Sequence, residues 1–403
     1  MTYGQTVGLT HDKELVGNWA ALIWGMLGLA IKGGLWIGFS ALFLGIGLGG
    51  LRYRFWEMLI VMAALFGLFF VGVWLLNSPF DPSNRVLPQI YFSDSWYFEP
   101  DATLKPRPEV WGGVFFAWLS LLLYAGAFRR DGLAWRVALW GFAAGALGFP
   151  AGQAIQAYHA WNAEAMASGS LGWLYKNFNW WNIMETTFGL VWGAVVGCGL
   201  WFHRQRIAES SISKVSLKPA SEASLVVLHL ILLVVAEFSD WKSAPALVCY
   251  AQYGLVMIAL PIACSLSGRL WPYLLVLPIT AVPIIQKSLI QFCYKDAIKL
   301  SLTQGWLLIA ALPSMLLVFI AVDGIVRSYR DGDKTGRIAA VGLLASSWVY
   351  LSLNTVFFDF AWPWRTWTTR TPNQIFYMVA TLALSSLAIK KMIQYRSQSQ
   401  PTP

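Results

Sequence analysis

The chain has few charged residues and few cysteines. Charged side chains make up only 12% of its 403 residues, whereas hydrophobic side chains make up 57%. A soluble domain needs a more polar surface, so this composition excludes a soluble globular protein and indicates an integral membrane protein. The four cysteines have no metal-ligand spacing, which argues against a disulfide framework or a cysteine-based zinc site.

The sequence also lacks the short motifs of several enzyme classes. It contains no GxxxxGK[ST] phosphate loop, no GxSxG nucleophile elbow and no HExxH zinc motif. Nothing in it therefore points to ATP hydrolysis, serine hydrolysis or zinc proteolysis. Because the histidines outside 151–179 have no partner at ligand spacing, we expect no metal and no cofactor. These absences fit an enzyme of another class as well as a protein that is not an enzyme.

The net charge of +9 comes from basic residues at the ends of apolar runs rather than from one cluster. That distribution is typical of topology signals in a membrane protein, and it predicts the lipid bilayer rather than nucleic acid as the partner. Basic turns alternate with turns of low basic content along the chain. The alternation predicts cytoplasmic amino and carboxyl termini, and we expect a bacterial inner (plasma) membrane.

Apolar runs of about 20 residues are long enough to cross a bilayer. They predict an all-α, polytopic integral membrane helical bundle of eleven or twelve transmembrane helices. The number depends on the first run, 16–31, because this short run crosses the membrane in the twelve-helix alternative and is re-entrant in the eleven-helix one. The runs lie at 16–31, 33–50, 55–76, 111–128, 133–150, 180–202, 223–239, 245–266, 270–293, 305–326, 338–357 and 373–389.

A Ser- and Lys-rich segment at 207–221 divides the chain into two halves. We interpret it as a cytoplasmic linker between a six-helix half at 1–206 and a second six-helix half at 222–403. The first half carries two long outer loops, 77–110 and 151–179. The first is rich in proline and aromatic residues, so we expect a structured extracytoplasmic cap rather than one continuous helix or a disordered segment.

Glu185, Gly189, Gly193 and Gly197 recur every four residues in the run 180–202. In a helix this spacing forms one stripe, and such a glycine zipper lets a neighbouring helix approach closely. We therefore expect Glu185 to face protein rather than lipid. A carboxylate at that depth is a candidate for proton coupling or acid–base chemistry, although a helix-packing seam explains the same pattern.

A second polar pattern precedes that helix, where Gln153, Gln156, His159 and Asn162 recur every three residues. If the segment is helical, these side chains share one face. Histidine titrates near neutral pH, so His159 and Glu185 are the predicted catalytic or proton-relay pair. The glutamines and Asn162 are predicted substrate ligands, and an ordinary surface helix is the alternative.

Three further residues complete the predicted substrate site. Trp181 and Asn182 begin the helix that carries Glu185, and Lys287 lies inside a later apolar run. Lys287 is predicted either to bind an anion or to extend its ammonium group to the membrane surface. Tryptophans mixed with amides and carboxylates are typical of surfaces that stack on sugar rings.

Three functions fit these features. The first is a secondary transporter of a small polar solute, sugar-like in chemistry, with Glu185 as the proton-coupling carboxylate. The second is a membrane-embedded transferase that acts on a lipid-linked or glycan substrate at the outer face. The third is a non-catalytic subunit of a membrane complex or homo-oligomer, whose glycine stripes contact partner helices.

Overall fold

The structure is a computed structural model that describes residues 9–11, 14–16, 19–51, 53–92, 108–208, 220, 284–286, 288–294, 300–330, 335–357 and 366–397. The chain forms two compact units. Unit 1 comprises Met1–Leu51, Leu59–Ala208 and Thr368–Arg370, and unit 2 comprises Arg52–Met58, Glu209–Trp367 and Thr371–Pro403. Lys287, most of the predicted linker and the predicted helices at 223–239 and 245–266 lie outside the described residues.

Most described residues of unit 1 are helical. A two-stranded antiparallel hairpin, β1 (Leu9–His11) and β2 (Glu14–Val16), precedes the first helix. The helices are α1 (Trp19–Leu48), α2 (Phe55–Leu76), α3 (Trp111–Leu123), α4 (Ala134–Trp161), α5 (Ala163–Ser168), α6 (Gly172–Asn177) and α7 (Trp180–Phe202). A π-helical turn, Tyr124–Phe128, continues α3, and a 3-10 turn, Arg204–Arg206, follows α7.

In unit 2 the described helices are α8 (Leu302–Gly305), α9 (Leu312–Arg330), α10 (Thr335–Phe357) and α11 (Thr371–Ser397). A π-helical segment, Trp306–Ala311, joins α8 to α9, and another spans Ile290–Tyr294. Leu289, Phe292, Ile309, Leu317 and Val349 belong to the buried apolar core of this unit.

Five of the described helical segments are long and apolar enough to cross a membrane. They are Leu22–Leu48, Trp111–Phe128, Trp180–Phe202, Leu302–Ile320 and Thr371–Tyr395. The described part of the chain is therefore largely helical and fits the predicted class of membrane protein.

Helix α1 corrects one prediction. The runs 16–31 and 33–50 were predicted as two separate segments, but α1 continues through Lys32 as one helix of 30 residues. Its length is about 45 Å at 1.5 Å per residue. Gly33 and Gly34 do not break the helix, because they serve as packing surface against α4 instead.

The contact between α1 and α4 depends on these glycines. A Cβ atom added to Gly33 would collide with the Gly145 carbonyl oxygen, and one added to Gly145 would collide with the backbone of Gly33. A Cβ on Gly45 would lie 2.6 Å from the Cα of Ala134. The two backbones approach so closely that only glycine fits at these positions.

Helix α7 packs on α4 through a different face from the one predicted. A Cβ on Gly152 would lie 2.5 Å from the Met184 carbonyl oxygen, and a Cβ on Gly148 would lie 3.0 Å from the Phe188 ring. Near the start of α7 the small residues of this contact belong to α4, whereas near its end the small residue is Gly199 of α7, where an added Cβ would lie 2.5 Å from the Trp140 ring.

The expectation that the Glu185 stripe faces protein is wrong for the part of the chain that the structure describes. Glu185, Gly189, Gly193 and Gly197 are exposed, and nothing lies within 4 Å of a Cβ added to any of the three glycines. The reason is helical geometry. Met184 precedes Glu185 by one residue, so the contact with Met184 turns the Glu185 stripe about 100° away from α4.

The described part of the first outer loop is fixed to α1. Trp24 Nε1 donates a hydrogen bond to the Tyr91 carbonyl oxygen at 2.8 Å. Glu109 forms an ion pair with Lys32 and accepts a hydrogen bond from the Phe92 N–H at 3.0 Å. The Glu109 side chain is 1% exposed, so this ion pair is part of the interior of unit 1.

Candidate functional site

The first candidate site contains His159 on the last turn of α4. Its ring stacks on Trp180, with ring centroids 4.5 Å apart, and on Tyr175 at 5.3 Å. Burial lowers the pKa of His159, because the charged imidazolium is less well solvated there. His159 is therefore expected to be neutral at neutral pH, held between two aromatic rings.

Glu185 belongs to a separate cluster on the first turns of α7. Trp181 Nε1 donates a hydrogen bond to Glu185 Oε1 at 2.8 Å, and Asn182 Nδ2 donates to Oε2 at 3.4 Å. These partners lie four and three residues earlier on the same helix face. The structure thus brings together the predicted site residues Trp181, Asn182 and Glu185. The Glu185 side chain is exposed.

The predicted relay between His159 and Glu185 is not formed by direct contact among the described residues. His159 makes ring contacts with Trp180 and Tyr175, whereas the hydrogen bonds of Glu185 go to Trp181 and Asn182. Both groups flank the start of α7, but their side chains have different partners. A proton relay between them stays a prediction.

The other predicted substrate ligands on α4 differ in their burial and in their hydrogen bonds. Gln153 and Gln156 are buried, and Gln153 Nε2 has no hydrogen-bond partner among the described residues. Asn162 follows the last residue of α4, and its Nδ2 donates to the Tyr158 carbonyl oxygen at 2.9 Å. The glutamines therefore lie inside the unit, and Asn162 caps the helix end.

The start of α7 is fixed by Asn179. Its side chain accepts a hydrogen bond from the Asn182 N–H at 3.1 Å, which caps the helix. Its backbone N–H donates to the Thr369 carbonyl oxygen at 2.9 Å. Both bonds stabilise the helix turn that carries Trp181 and Asn182.

Unit 2 contains a second candidate site that the sequence patterns did not reveal. A cavity of about 300 Å³ lies between α9, α10 and α11. Among its described lining residues, Ser346, Ser347, Tyr350, Tyr377 and Thr381 carry hydroxyl groups, and none carries a charge. The other lining residues are Leu317, Val349, Leu351, Leu353, Ala380 and Leu384.

The serine hydroxyls of this cavity have their hydrogens committed to the protein. Ser346 and Ser347 donate to the Leu343 carbonyl oxygen at 3.0 Å and 2.7 Å. Each oxygen still has lone pairs, because a hydroxyl has one donor hydrogen and two acceptor positions. Toward the cavity, these two serines can therefore only accept hydrogen bonds.

A further polar contact connects the two helices beside the cavity. Ser385 accepts a hydrogen bond from Trp348 Nε1 at 3.0 Å and donates to the Thr381 carbonyl oxygen at 2.7 Å. The sequence signal for this region is the spacing of Tyr377, Thr381 and Ser385, which places them on one helix face. Hydropathy alone does not reveal this polar face, because an apolar run can contain several hydroxyl residues and still have a high mean hydropathy.

Among the described residues, no group of three or more His, Cys, Asp or Glu side chains could hold a metal ion. Comparison with known proteins gives no relative for this chain: no protein family, no curated protein and no solved structure matches it.

Proposed function

We propose that the protein is a secondary transporter of a small polar solute. The observation that carries the proposal is the cavity of unit 2, whose described lining includes five residues with hydroxyl groups. Thr381 lies ten residues into α11, which is about 15 Å from the start of that helix at 1.5 Å per residue. Because a hydrocarbon core is about 30 Å thick, this depth is close to its midplane, where many transporters bind their substrates.

The cavity also defines the class of solute. None of its described lining residues is charged, and Ser346 and Ser347 present acceptors only. An anion would meet these acceptors without a counter-charge, so it would bind poorly. A neutral polyol or sugar, or a small organic cation, can donate hydrogen bonds to them. The volume of about 300 Å³ is at the lower end for ligand pockets and suits a small solute.

The continuous helix α1 changes the proposed topology. If α1 crosses once, the chain has eleven crossings, and the amino terminus lies on the side opposite to the carboxyl terminus. The basic turns still place the carboxyl terminus in the cytoplasm. We therefore propose eleven crossings, an amino terminus outside a bacterial inner membrane, and an outer cap formed by the loops.

Glu185 is proposed as the proton-coupling carboxylate. It is an exposed acidic side chain within a membrane-length helix, five residues after its start, and ionisable groups in that position are usually functional. The hydrogen bonds from Trp181 and Asn182 hold the carboxylate in place on the first turns of α7.

Proteoliposome uptake tests this proposal. We expect purified protein to take up labelled mannitol, glucose or choline and to exclude succinate. Glu185→Gln is expected to abolish accumulation driven by a pH gradient and to keep exchange of solute between the two sides, because only the coupling step needs the proton.

The matched control is Glu164→Gln, which removes an exposed carboxylate from α5. It should leave both uptake and exchange unchanged. Preference for succinate, or no uptake of any of the four solutes, would contradict the transport proposal. Conversion of a lipid-linked sugar donor by the same preparation would indicate the transferase instead.

A second candidate function is a subunit of a membrane complex. The exposed glycines of α7 favour it, because Gly189, Gly193 and Gly197 form a small-residue stripe with nothing within 4 Å of any added Cβ in the described structure. Such a subunit would show no uptake on its own and would bind a partner helix there.

A further inference from the structure

Two arginine side chains of unit 1 converge on Gly132, just before α4. Arg136 Nη1 lies 3.2 Å from the position of a Cβ atom added to Gly132, and Arg206 Nη1 lies 3.3 Å from it. Arg136 Nη1 also donates a hydrogen bond to the Gly132 carbonyl oxygen at 2.6 Å. Arg136 and Arg206 are far apart in the sequence, but they form one cationic site.

The positive charge of this arginine pair affects the neighbouring His203. Burial lowers the pKa of His203, and the positive charges of Arg136 and Arg206 lower it further. His203 is therefore expected to be neutral, so that like charge is not added to the pair. The neighbouring carboxylate, Asp131, is buried, and its Oδ1 accepts hydrogen bonds from the Leu133 and Ala134 N–H groups at 3.2 Å and 3.0 Å.

The arginine pair lies at the end of a membrane-length helix. Trp201 and Phe202, the last residues of α7, are 65% and 67% exposed, which is typical of side chains at a membrane interface. Arg204 stacks over Trp201 at 4.4 Å, and Arg136 stacks over Trp135 at 4.2 Å. These contacts place the guanidinium groups beside aromatic rings at the level expected for lipid headgroups.

We infer that Arg136 and Arg206 form a binding site for the phosphate of an anionic phospholipid headgroup. Guanidinium groups match the geometry of phosphate oxygens and form charge-assisted hydrogen bonds with them. Gly132 leaves the space between the two Nη1 atoms free of a side chain. General attraction of basic residues to the cytoplasmic leaflet does not require such convergence, so the site is more specific than the charge bias that sets topology.

Binding of short-chain phosphatidylglycerol to the full-length protein in detergent tests this inference. Native mass spectrometry gives the bound fraction at each lipid concentration. We expect phosphatidylglycerol to bind more tightly than phosphatidylcholine, and Arg206→Gln to weaken phosphatidylglycerol about tenfold, the loss expected for one charge-assisted contact. Arg204→Gln is the control, since Arg204 is also exposed and is two residues away but stacks on Trp201.

A second readout separates binding from a structural role. A bound phosphate should offset the charges of Arg136 and Arg206 and raise the pKa of His203, which NMR can follow among the four histidines of the chain. Equal loss in the Arg204→Gln and Arg206→Gln variants, or equal binding of the two lipids, would overturn the inference. An equal effect of inorganic phosphate on His203 would keep the phosphate site but overturn its assignment to a lipid.

Discussion

Gly145→Val is expected to destabilise unit 1 strongly. The first side-chain carbon at this position would overlap the Gly33 carbonyl group and lie 2.9 Å from the Gly34 nitrogen. Overpacking of a core typically costs about 1–3 kcal/mol when flexible side chains can adjust. Here the obstacle is backbone, which cannot rotate away, so we expect a cost at or above the top of that range. Size-exclusion chromatography and thermal unfolding of the purified protein measure it.

Gly193→Val is the matched control. Gly193 also lies within a membrane-length helix, but nothing is within 4 Å of its added Cβ among the described residues. We expect this variant to elute and unfold like the wild type. If Gly145→Val were as stable as the wild type, or if both variants were destabilised equally, the result would contradict the close packing of α1 on α4.

Lys32→Met is expected to destabilise the protein by about 3–5 kcal/mol, the usual cost of removing one partner from a buried ion pair. The Glu109 side chain is 1% exposed and would lose its ion-pair cation, whereas the Lys32 side chain is 28% exposed. The outer-loop segment should also lose order, because Glu109 accepts the Phe92 N–H. Denaturation curves and proteolysis of the loop give the two measurements.

Substitution of the other partner of this ion pair is expected to cost less. Glu109→Gln can keep an acceptor for the Phe92 N–H, and the Lys32 ammonium can turn toward solvent, so we expect a smaller loss than for Lys32→Met. The double variant should be more stable than Lys32→Met alone, since no buried charge is left. If Lys32→Met and Glu109→Gln lowered the free energy of unfolding equally, the difference in burial between the two partners would not determine the cost of breaking the ion pair.

The sequence predicted the general class of the fold because apolar runs and helix length are properties of each segment alone. It did not predict that α1 is continuous. Glycines in tandem permit a turn or a close helix contact, and only the partner decides between them. The partner here is Gly145, more than 100 residues later in the chain.

The candidate sites were predicted unevenly for a related reason. The spacing of Trp181, Asn182 and Glu185 places them on adjacent turns, and the structure shows the hydrogen bonds. Which face of α7 meets α4 depends on how Met184 and Phe188 fit the glycines of α4, and spacing within α7 contains no information about that fit. The cavity of unit 2 was missed because its lining comes from three helices.

Two-sided access to the unit 2 cavity tests the transport proposal most directly. In a cysteine-free background, Ser347→Cys places a thiol in the cavity lining, and Leu382→Cys places one on an exposed apolar position of α11 as the control. A membrane-impermeant thiol reagent is then applied to right-side-out and to inside-out vesicles. A transporter predicts that Cys at 347 reacts from both sides and that Cys at 382 reacts from neither. Reaction of the cavity thiol from one side only, or from neither, would contradict the proposal.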